Sequence, residues 1–335
     1  MVQEVKKMKR KNAQKNASQK EQALGKEEAG GTPKKNTKQK EENKIQRPPV
    51  DLKYGPPVSF PYQRVWSRSI LILGVLLIVW YNGKHGREIS LAKQKDVLVS
   101  RSQNVDCSAD YIAKLETYPG CISEKCGRFV TDKLVSATEV DVLLKLAKSA
   151  LNLAGSDGGA STLDLYSGAL CKGQEFTNVY ELSKAKEIFN SVDLAIYRAV
   201  REKIQRAVAE NFGVDVEKIY LTKPTFFSRM TNKPAQTIYD EYWHPHVDKE
   251  TYESFYYTSL VYLNDYDKDF EGGRFVFMDK YVNSTIEPRK GRVSIFTSGS
   301  ENLHLVEKVK SGTRYALTIS FTCDKNSAIS DTYFI

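Results

Sequence analysis

His246-Val247-Asp248, followed later in the chain by His304 and then by Arg314, is the residue series from which fold and chemistry can be argued. Residues two apart on an extended strand point to the same side, so the His246 and Asp248 side chains would share one space. His304 could complete a set of two imidazoles and one carboxylate. Such a set binds one face of a divalent metal and leaves neighbouring coordination positions open. Because short patterns are common by chance, a metal site needs support from elsewhere in the sequence.

Arg314 supplies that support. It lies in a segment, residues 313–321, that alternates large apolar residues with smaller ones at the period of a β-strand. The large residues share one face, whereas Arg314 shares the other with Ala316, Thr318 and Ser320. We therefore expect Arg314 in a pocket with room for a ligand. A guanidinium held there needs an anion to offset its lost hydration, and a dicarboxylate would serve.

Several motifs together resemble a known family. They are His244-Pro245-His246-Val247-Asp248, Glu271-Gly272-Gly273-Arg274-Phe275, Ser298-Gly299-Ser300-Glu301-Asn302-Leu303-His304 and Gly312-Thr313-Arg314-Tyr315-Ala316-Leu317. As a set they resemble the prolyl-4-hydroxylase-like branch of the 2-oxoglutarate- and Fe(II)-dependent dioxygenases. The resemblance covers roughly the last third of the chain strongly and the helical part before it more loosely.

The resemblance implies an α+β fold, with a double-stranded β-helix (jelly-roll) catalytic core supported by flanking α-helices. It also implies that His246, Asp248 and His304 bind Fe(II), and that 2-oxoglutarate chelates the metal and pairs its distal carboxylate with Arg314. The family hydroxylates a C–H bond while 2-oxoglutarate is decarboxylated to succinate. L-Ascorbate is expected to rescue oxidised iron, and the branch suggests a side chain of a secretory or membrane protein as substrate.

Four more residues near the first histidines in sequence are candidate pocket donors. Tyr239 and Tyr257 are predicted to contact the cosubstrate, and Tyr242 and Thr258 are further candidates. All four are equally consistent with ordinary strand aromatics and hydroxyls that serve the packing of the fold.

Two alternative functions stay open at this point. His244, His246 and His304 could form a three-histidine zinc site, which would suggest hydration or hydrolysis. That arrangement leaves Asp248 and Arg314 without roles, so it ranks second. The chain could also be a non-catalytic lumenal binding or scaffold protein on the same fold. The intact set of ligands argues against this.

The positive charge of the chain is concentrated near its N-terminus. The net charge is +9, from 50 Lys and Arg against 41 Asp and Glu, yet residues 1–68 alone carry a net +10. Residues 1–64 are rich in Lys, Gln, Asn and Glu, so they cannot bury enough apolar surface to offset chain entropy. We predict a disordered basic cytosolic tail there. The remainder is near neutral, and nucleic acid is not an expected partner of the folded domain.

Residues 65–81 are predicted to be a transmembrane signal anchor. The uninterrupted apolar part, Ile70 to Tyr81, is short, but Arg68 can snorkel, and Trp66 and Trp80 lie at the ends as interfacial anchors. Basic residues after the span favour a lumenal tail under the positive-inside rule. The charge of the tail and the position of all five cysteines beyond the span favour the reverse. We predict a single-pass type II membrane protein, with its C-terminal domain in the endoplasmic reticulum or Golgi lumen or outside the cell.

The polar, weakly patterned residues 82–106 suggest a stem. Residues 107–222 are predicted to be a cysteine-containing helical support region, and residues 223–335 the dioxygenase core. A capping box at Ser136-Ala137-Thr138-Glu139 and apolar periodicity predict one helix ending near Gly155 and another from Leu182 to Phe212. Two disulfides and one remaining thiol are the default expectation for five cysteines in an oxidising lumen, with the pairing open.

Short alternating segments predict the strands of the core. They are Pro224–Met230, Tyr257–Leu263, Arg274–Met278, Arg292–Thr297 and Arg314–Thr322. Many short strands in succession favour a sandwich or a barrel. Asn283-Ser284-Thr285, placed in a polar connection between two of these strands, has the acceptor pattern for N-glycosylation, and we predict modification at Asn283.

Overall fold

A computed structural model of the chain describes residues 61–84, 88–114, 116–153, 159–172, 175–237 and 241–330. Residues 1–60 of the predicted tail lie outside the described residues, and so does Tyr239. Helix α1 (Gln63–Lys84) contains a 19-residue segment, Gln63–Tyr81, with a mean hydropathy of 1.5. Its large apolar side chains are exposed. By length and composition this helix is a candidate membrane span, in agreement with the predicted anchor.

The described chain continues with short strands and four pieces of helix before the core strands begin. In order they are β1 (Glu88–Ala92), β2 (Arg101–Val105), α2 (Ala109–Ile112), β3 (Cys126–Thr131), α3 (Ala137–Leu151), β4 (Ala160–Asp164), β5 (Ala169–Lys172), β6 (Glu175–Asn178), α4 (Ala185–Ile188) and α5 (Ser191–Phe212). The remaining elements are β7 (Tyr220–Thr231), α6 (Asp248–Thr251), β8 (Tyr257–Tyr262), β9 (Phe270–Gly272), β10 (Phe275–Phe277), β11 (Asn283–Ile286), β12 (Val293–Thr297), β13 (His304–Val306) and β14 (Val309–Thr322). Strands β1–β6 all lie before α5, so helices and strands alternate in this part of the chain.

The strands form two sheets. The minor sheet has the order β1-β11-β10-β13, and the major sheet has the order β2-β3-β12-β8-β14-β7-β4-β5-β6, with β9 paired to β14. β1 is parallel to β11, while the central strands β12, β8, β14 and β7 are antiparallel to their neighbours. The predicted α+β fold with a jelly-roll core and flanking helices is confirmed.

A separate hydrophobic core covers each face of the major sheet. Residues of one parity on β8, such as Val261, pack with Leu143 of α3 and Val200 of α5 in the first core. Residues of the other parity, such as Tyr262, pack with Phe275 of the minor sheet in the second core. Because successive side chains of a strand alternate between faces, β8 contributes to both cores. The second core is the space between the two sheets, and the candidate site borders it.

The two long helices follow the capping chemistry of the sequence. In the predicted capping box, the Ser136 side chain accepts a hydrogen bond from the backbone N–H of Glu139, and the Glu139 side chain accepts one from the backbone N–H of Ser136. The second helix begins at Ser191 and not at Leu182, because the Asn190 side chain caps it by accepting two backbone hydrogen bonds. It ends at Phe212, as predicted.

The prediction of a stem over residues 82–106 is wrong, because β1 and β2 lie within it. β1 pairs with β11 at the edge of the minor sheet, and β2 pairs with β3 at the edge of the major sheet. β2 is largely exposed and mostly polar, as edge strands often are, whereas Leu91 and Ala92 at the end of β1 are buried in the second core. The boundaries at 107 and 223 do not separate helices from sheet either. β3 lies inside the major sheet, and β4, β5 and β6 extend it.

Two disulfides join segments that are distant along the chain, in agreement with the expected number. Cys107 bonds to Cys126, and Cys121 bonds to Cys323 across a sequence separation of 202 residues. In the chain-entropy account, closing so long a loop stabilises the fold by about 5 kcal/mol. The fifth cysteine, Cys171, keeps its thiol. The disulfide with the longer separation covalently joins the region around α2 to the end of β14.

The acceptor triplet at Asn283 is placed differently from the prediction. Asn283-Ser284-Thr285 lies in β11, paired on both sides, and not in a connection between strands. Ser284 and Thr285 are each 2% exposed. The sequence pattern misled because Asn and Ser are common in connections, whereas here the Ser284 hydroxyl donates to Asp279 within the fold.

Candidate metal centre

His246 and Asp248 are brought to one side by local backbone geometry. The backbone N–H groups of His246 and His304 each donate to the carbonyl of the other, at 2.9 and 3.0 Å, in an isolated β-bridge. Val247 is extended, with φ −113° and ψ 124°, so its neighbours point the same way. The predicted strand then stops, because Asp248 is the first residue of α6. The predicted juxtaposition of His246 and Asp248 is nevertheless found.

Both histidines present the same ring nitrogen to the site. His304 Nδ1 lies 2.8 Å from the carbonyl oxygen of Asn302, and His246 Nδ1 lies 3.0 Å from the carbonyl oxygen of His244. A carbonyl oxygen only accepts, so each Nδ1 carries the proton and donates. Each Nε2 therefore keeps its lone pair for a ligand, which is the arrangement typical of metal-binding histidines.

The three side chains form one compact group. The Nε2 atoms of His246 and His304 lie 3.6 and 3.5 Å from Asp248 Oδ1, and all candidate ligand atoms lie within 4.8 Å of one another. Asp248 Oδ2 is buried and has no hydrogen-bond partner. Two imidazole nitrogens, one carboxylate and an orphaned buried oxygen fit a single divalent metal ion bound on one face.

The surroundings of the two histidines differ. The His304 ring is 3% exposed and packs against Phe275, Phe277 and Phe296, with ring centroids 4.8, 6.2 and 5.1 Å away. Burial lowers the pKa of His304, the Asp248 carboxylate opposes this by raising it, and His246 lowers it further. The buried ring is therefore neutral, as a ligand must be. The His246 side chain is 42% exposed, so the group opens to solvent on that side.

Arg314 lies on β14 with its side chain in the second core. It is 1% exposed, its Nε donates to the Gly273 carbonyl at 3.0 Å, and its Nη1 contacts Met230 Sδ at 3.6 Å. Nη2 is buried without a partner, and no acidic side chain among the described residues pairs with the guanidinium. Burial lowers the pKa of Arg314. A buried cation with an unused N–H provides an anchor for an anionic ligand.

Tyr262 is a site residue that sequence reasoning missed. Its fully buried ring lies 5.4 Å from Arg314 Cζ, and its hydroxyl lies 3.4 Å from Ser294 Oγ. β8 and β14 pair so that Tyr262 is opposite Ala316, two residues from Arg314. Strand parity would have found it, because Thr258 and Tyr262 must share a face while Tyr257 points to the other.

The candidate pocket donors differ in where the structure places them. The prediction for Tyr257 is wrong, since its hydroxyl donates to the Cys121 carbonyl at 2.7 Å and accepts from Ser123 N–H at 3.1 Å in the first core. Thr258 faces the opposite way and its hydroxyl lies 2.8 Å from Ser298 Oγ. Tyr242 accepts from Val309 N–H at 2.9 Å, close to Arg314. Tyr239 lies outside the described residues.

The three-histidine alternative is not formed. His244 Nε2 lies 2.5 Å from Glu241 in an exposed pair, while the group that can hold a metal contains Asp248 in its place. The alternative failed because the extended backbone points His246 and Asp248 inward together. His244 precedes a proline and remains on the surface.

The fold and the site together define a class of protein. The sequence profile of the 2OG-Fe(II) oxygenase superfamily matches residues 235–322, which include all three members of the metal group and Arg314. The chain is accordingly an oxidoreductase of the dioxygenase type, and its superfamily implies Fe(II) and 2-oxoglutarate. The intact ligand set and the unpaired guanidinium fit both groups.

Individual relatives identify the family within this class. The chain is 54% identical over 243 residues to 2-oxoglutarate and iron-dependent oxygenase domain-containing protein 3 of Xenopus tropicalis, covering 72% of this chain and 76% of that protein. It therefore belongs to the family of 2-oxoglutarate and iron-dependent oxygenase domain-containing protein 3. It is also 45% identical over 71 residues to human prolyl 3-hydroxylase 2, covering 20% of this chain and 10% of that protein.

Solved structures of low sequence identity also match the chain. A Trichoplax adhaerens prolyl hydroxylase, in complex with a peptide fragment of the hypoxia inducible factor oxygen degradation domain, matches with 14% identity and a TM-score of 0.41. That comparison covers 65% of this chain and 89% of the Trichoplax chain. The relation of the chain to prolyl hydroxylases rests on the sequence match to prolyl 3-hydroxylase 2.

Proposed function

We propose that the protein hydroxylates a side chain of a secretory or membrane protein, using Fe(II) and 2-oxoglutarate. The observation that carries the proposal is the combination of the His246–Asp248–His304 group with the unpaired Nη2 of Arg314. Neither feature alone is specific, because acidic clusters and buried arginines also serve structure. A dicarboxylate that chelates a metal needs open coordination positions on that metal and a nearby cation that has no other anionic partner. This site offers both.

The three ligands would hold Fe(II) through His246 Nε2, His304 Nε2 and the carboxylate of Asp248. The carbonyl bonds to both Nδ1 atoms fix the tautomer that such binding requires. Bound together, the metal and 2-oxoglutarate would supply the oxidising chemistry, in which one atom of O2 enters the substrate C–H bond, the other enters succinate, and one carboxylate of 2-oxoglutarate leaves as CO2. The phenylalanine rings around His304 exclude water from one side and leave the His246 side for the substrate.

Arg314 would orient the cosubstrate by pairing with its distal carboxylate. Nε is already held by the Gly273 carbonyl, which leaves the Nη2 end of the guanidinium fork available. Tyr262 and Tyr242 border the same guanidinium. Arg is favoured over Lys for binding a carboxylate, because its guanidinium can donate two parallel hydrogen bonds. L-Ascorbate would act as the reductant that returns oxidised iron to Fe(II).

The substrate class rests on the relatives. Human prolyl 3-hydroxylase 2 matches this chain over a segment covering 20% of it, so a prolyl or similar side chain is the favoured target. We further infer a type II membrane protein with a lumenal or extracellular catalytic domain. The support is the apolar helix α1 and the two disulfides beyond it. The membrane and a protein substrate are then its partners.

The test uses the full chain in detergent, loaded anaerobically with Fe(II) and then exposed to O2. We expect slow formation of succinate that requires 2-oxoglutarate, even without substrate. His246→Ala, Asp248→Ala and His304→Ala should abolish it, because losing a ligand strips or misplaces the metal. His244→Ala is the matched control and should retain turnover. Succinate formation that is unchanged in the ligand variants would overturn the proposal.

A second experiment addresses the substrate. The Asp248→Ala chain should retain peptides of secretory proteins that the parent releases after oxidation, and mass spectrometry should then find those peptides carrying one additional oxygen after incubation with the active chain. Retained peptides that never gain oxygen would point to a binding protein on the same fold.

A further inference from the structure

Arg128 is a buried cation beside the metal group that no step of the proposed reaction uses. It lies on β3, is 2% exposed, and its Nη1 and Nη2 donate to the two carboxylate oxygens of Asp279 at 2.8 and 2.6 Å. Its Nε donates to Asn302 Oδ1 at 2.7 Å, and its guanidinium lies 3.9 Å from the centre of the Phe277 ring. The guanidinium is therefore held in one orientation from three directions.

Stability alone does not account for this arrangement. Replacing a buried ion pair by well-packed apolar residues is often neutral or stabilising, because desolvation of both charges costs as much as their attraction returns. Arg128 stands beside the second core, where Phe277 and Phe296 already pack. A guanidinium at this position is thus better explained by what it orients than by what it stabilises.

What Arg128 orients is Asn302, and Asn302 holds His304. The Asn302 side chain is fixed at both ends, since Oδ1 accepts from Arg128 and Nδ2 donates to the Thr297 carbonyl at 2.8 Å. The backbone carbonyl of Asn302 accepts the Nδ1–H of His304 at 2.8 Å. A shift of the Asn302 backbone would displace the carbonyl that fixes the His304 tautomer and ring plane.

Phe277 provides a second contact between the same two residues. Its ring lies under the Arg128 guanidinium and 6.2 Å from the His304 ring, edge to face. Phe277 and His304 are also direct cross-strand partners of β10 and β13. The position of Arg128 is thus transmitted to His304 by a hydrogen-bonded path through Asn302 and by a packed path through Phe277.

We propose that Arg128 is a positioning residue for the metal ligand His304, acting through Asn302. The proposal rests on the proposed function, in which His304 binds the metal. It differs from that function in assigning part of the metal affinity to a strand outside the matched superfamily segment. Removing a residue that orients a metal ligand typically lowers the metal affinity by roughly 10- to 100-fold.

The experiment is a titration of the full chain in detergent with Co(II), whose visible absorption reports binding. The variants are Arg128→Met, Asn302→Ala, the double variant and His304→Ala. Arg292→Met is the matched control, because Arg292 is also fully buried and makes a bidentate pair, with Asp132 at 2.8 and 3.0 Å, but contacts no member of the metal group. Thermal unfolding of each variant is measured alongside.

We expect Arg128→Met and Asn302→Ala each to weaken Co(II) binding about tenfold or more. Arg292→Met should lower the unfolding temperature and leave Co(II) affinity unchanged. The double variant should lose little more affinity than the single variant that binds Co(II) more weakly, because Arg128 acts mainly through Asn302. If Arg128→Met binds Co(II) as tightly as Arg292→Met does, Arg128 acts only on stability and the inference fails. If the two losses add, Arg128 does not act through Asn302, and the inference fails as well.

Imidazole nitrogen NMR of His304 separates this inference from the proposed function. Equal Co(II) binding by the parent and His304→Ala would overturn the proposed function. Even then, loss of the Nδ1–H signature of His304 in Arg128→Met, with retention in Arg292→Met, would support the positioning role. An unchanged His304 signature in Arg128→Met would overturn it.

Discussion

Arg314 donates its Nε hydrogen to the Gly273 carbonyl at 3.0 Å, and Gly273 has a left-handed backbone with φ 65°. A Cβ at residue 273 would lie 3.1 Å from Arg314 Cδ. The glycine thus lets the backbone approach the guanidinium stem closely enough to orient it. One residue of β14 and one residue in the connection between β9 and β10 define the anchor together.

The guanidinium of Arg314 is predicted to determine the affinity for 2-oxoglutarate. Arg314→Lys should weaken it and Arg314→Met should weaken it much further, because removing a charged partner inside a pocket costs roughly 2–5 kcal/mol, or about 30-fold or more in affinity. Isothermal titration of the metal-loaded chain would measure this. Metal content should stay at the parent level in both variants. Unchanged binding by Arg314→Met would show that the anchor lies elsewhere.

Gly273→Ala is predicted to impair both stability and the use of 2-oxoglutarate. The left-handed backbone costs a non-glycine residue roughly 1–2 kcal/mol, and the new methyl group would displace Arg314. Gly213→Ala is the matched control, since Gly213 is also left-handed, with φ 67°, but has nothing within 4 Å of an added Cβ. Urea denaturation should show a loss for both variants, larger for Gly273→Ala, and only Gly273→Ala should raise the 2-oxoglutarate concentration needed for half-maximal succinate formation. Equal cosubstrate requirements would argue against a positioning effect.

Asp279 is predicted to stabilise the fold in a pH-dependent way. Burial raises its pKa, but hydrogen bonds from Arg128 and Ser284 outweigh this, so the folded-state pKa is below the usual value of 3.8. Its contribution is therefore fully present above about pH 5 and is lost as the pH falls through the folded-state pKa. At pH 7, Asp279→Asn should cost about 3 kcal/mol, at the low end for a buried pair because the Asp279 side chain is 25% exposed.

Unfolding of the parent and of Asp279→Asn, followed at several pH values from neutral to acid, would check the sign. The difference in unfolding free energy between them should shrink as the pH falls below about 4. A difference that stays constant with pH would mean that Asp279 is not ionised in the folded protein.

Glycosylation at Asn283 is predicted, and it would report the orientation of the chain in the membrane. If the C-terminal domain is lumenal, expression in cells should yield a species that shifts in gel mobility after glycosidase treatment and does not shift in Asn283→Gln. Because Thr285 is 2% exposed in β11, the sugar would have to be added before the strand folds into the minor sheet. Protease protection of the N-terminal tail instead of the C-terminal domain, in sealed microsomes, would reverse the orientation.

The sequence by itself determined the features that depend on spacing and chemistry. The alternation over 313–321 predicts which face of β14 carries Arg314, and Ser136 with Glu139 predicts the start of α3, because both depend on neighbours a few residues away. The identity of the metal group was also readable, since two imidazoles and one carboxylate suit only a few kinds of site.

Tertiary structure alone decided the features that depend on residues distant in sequence. In the sequence alone, β1 and β2 resemble a polar stem, because their partners β11 and β3 are distant along the chain. Tyr257 resembles a pocket residue, because the sequence does not show which core each face of β8 contacts. The path from Arg128 through Asn302 to His304 joins segments that share no local pattern. Side-chain periodicity records which residues are buried, but only the folded chain determines which buried residues meet.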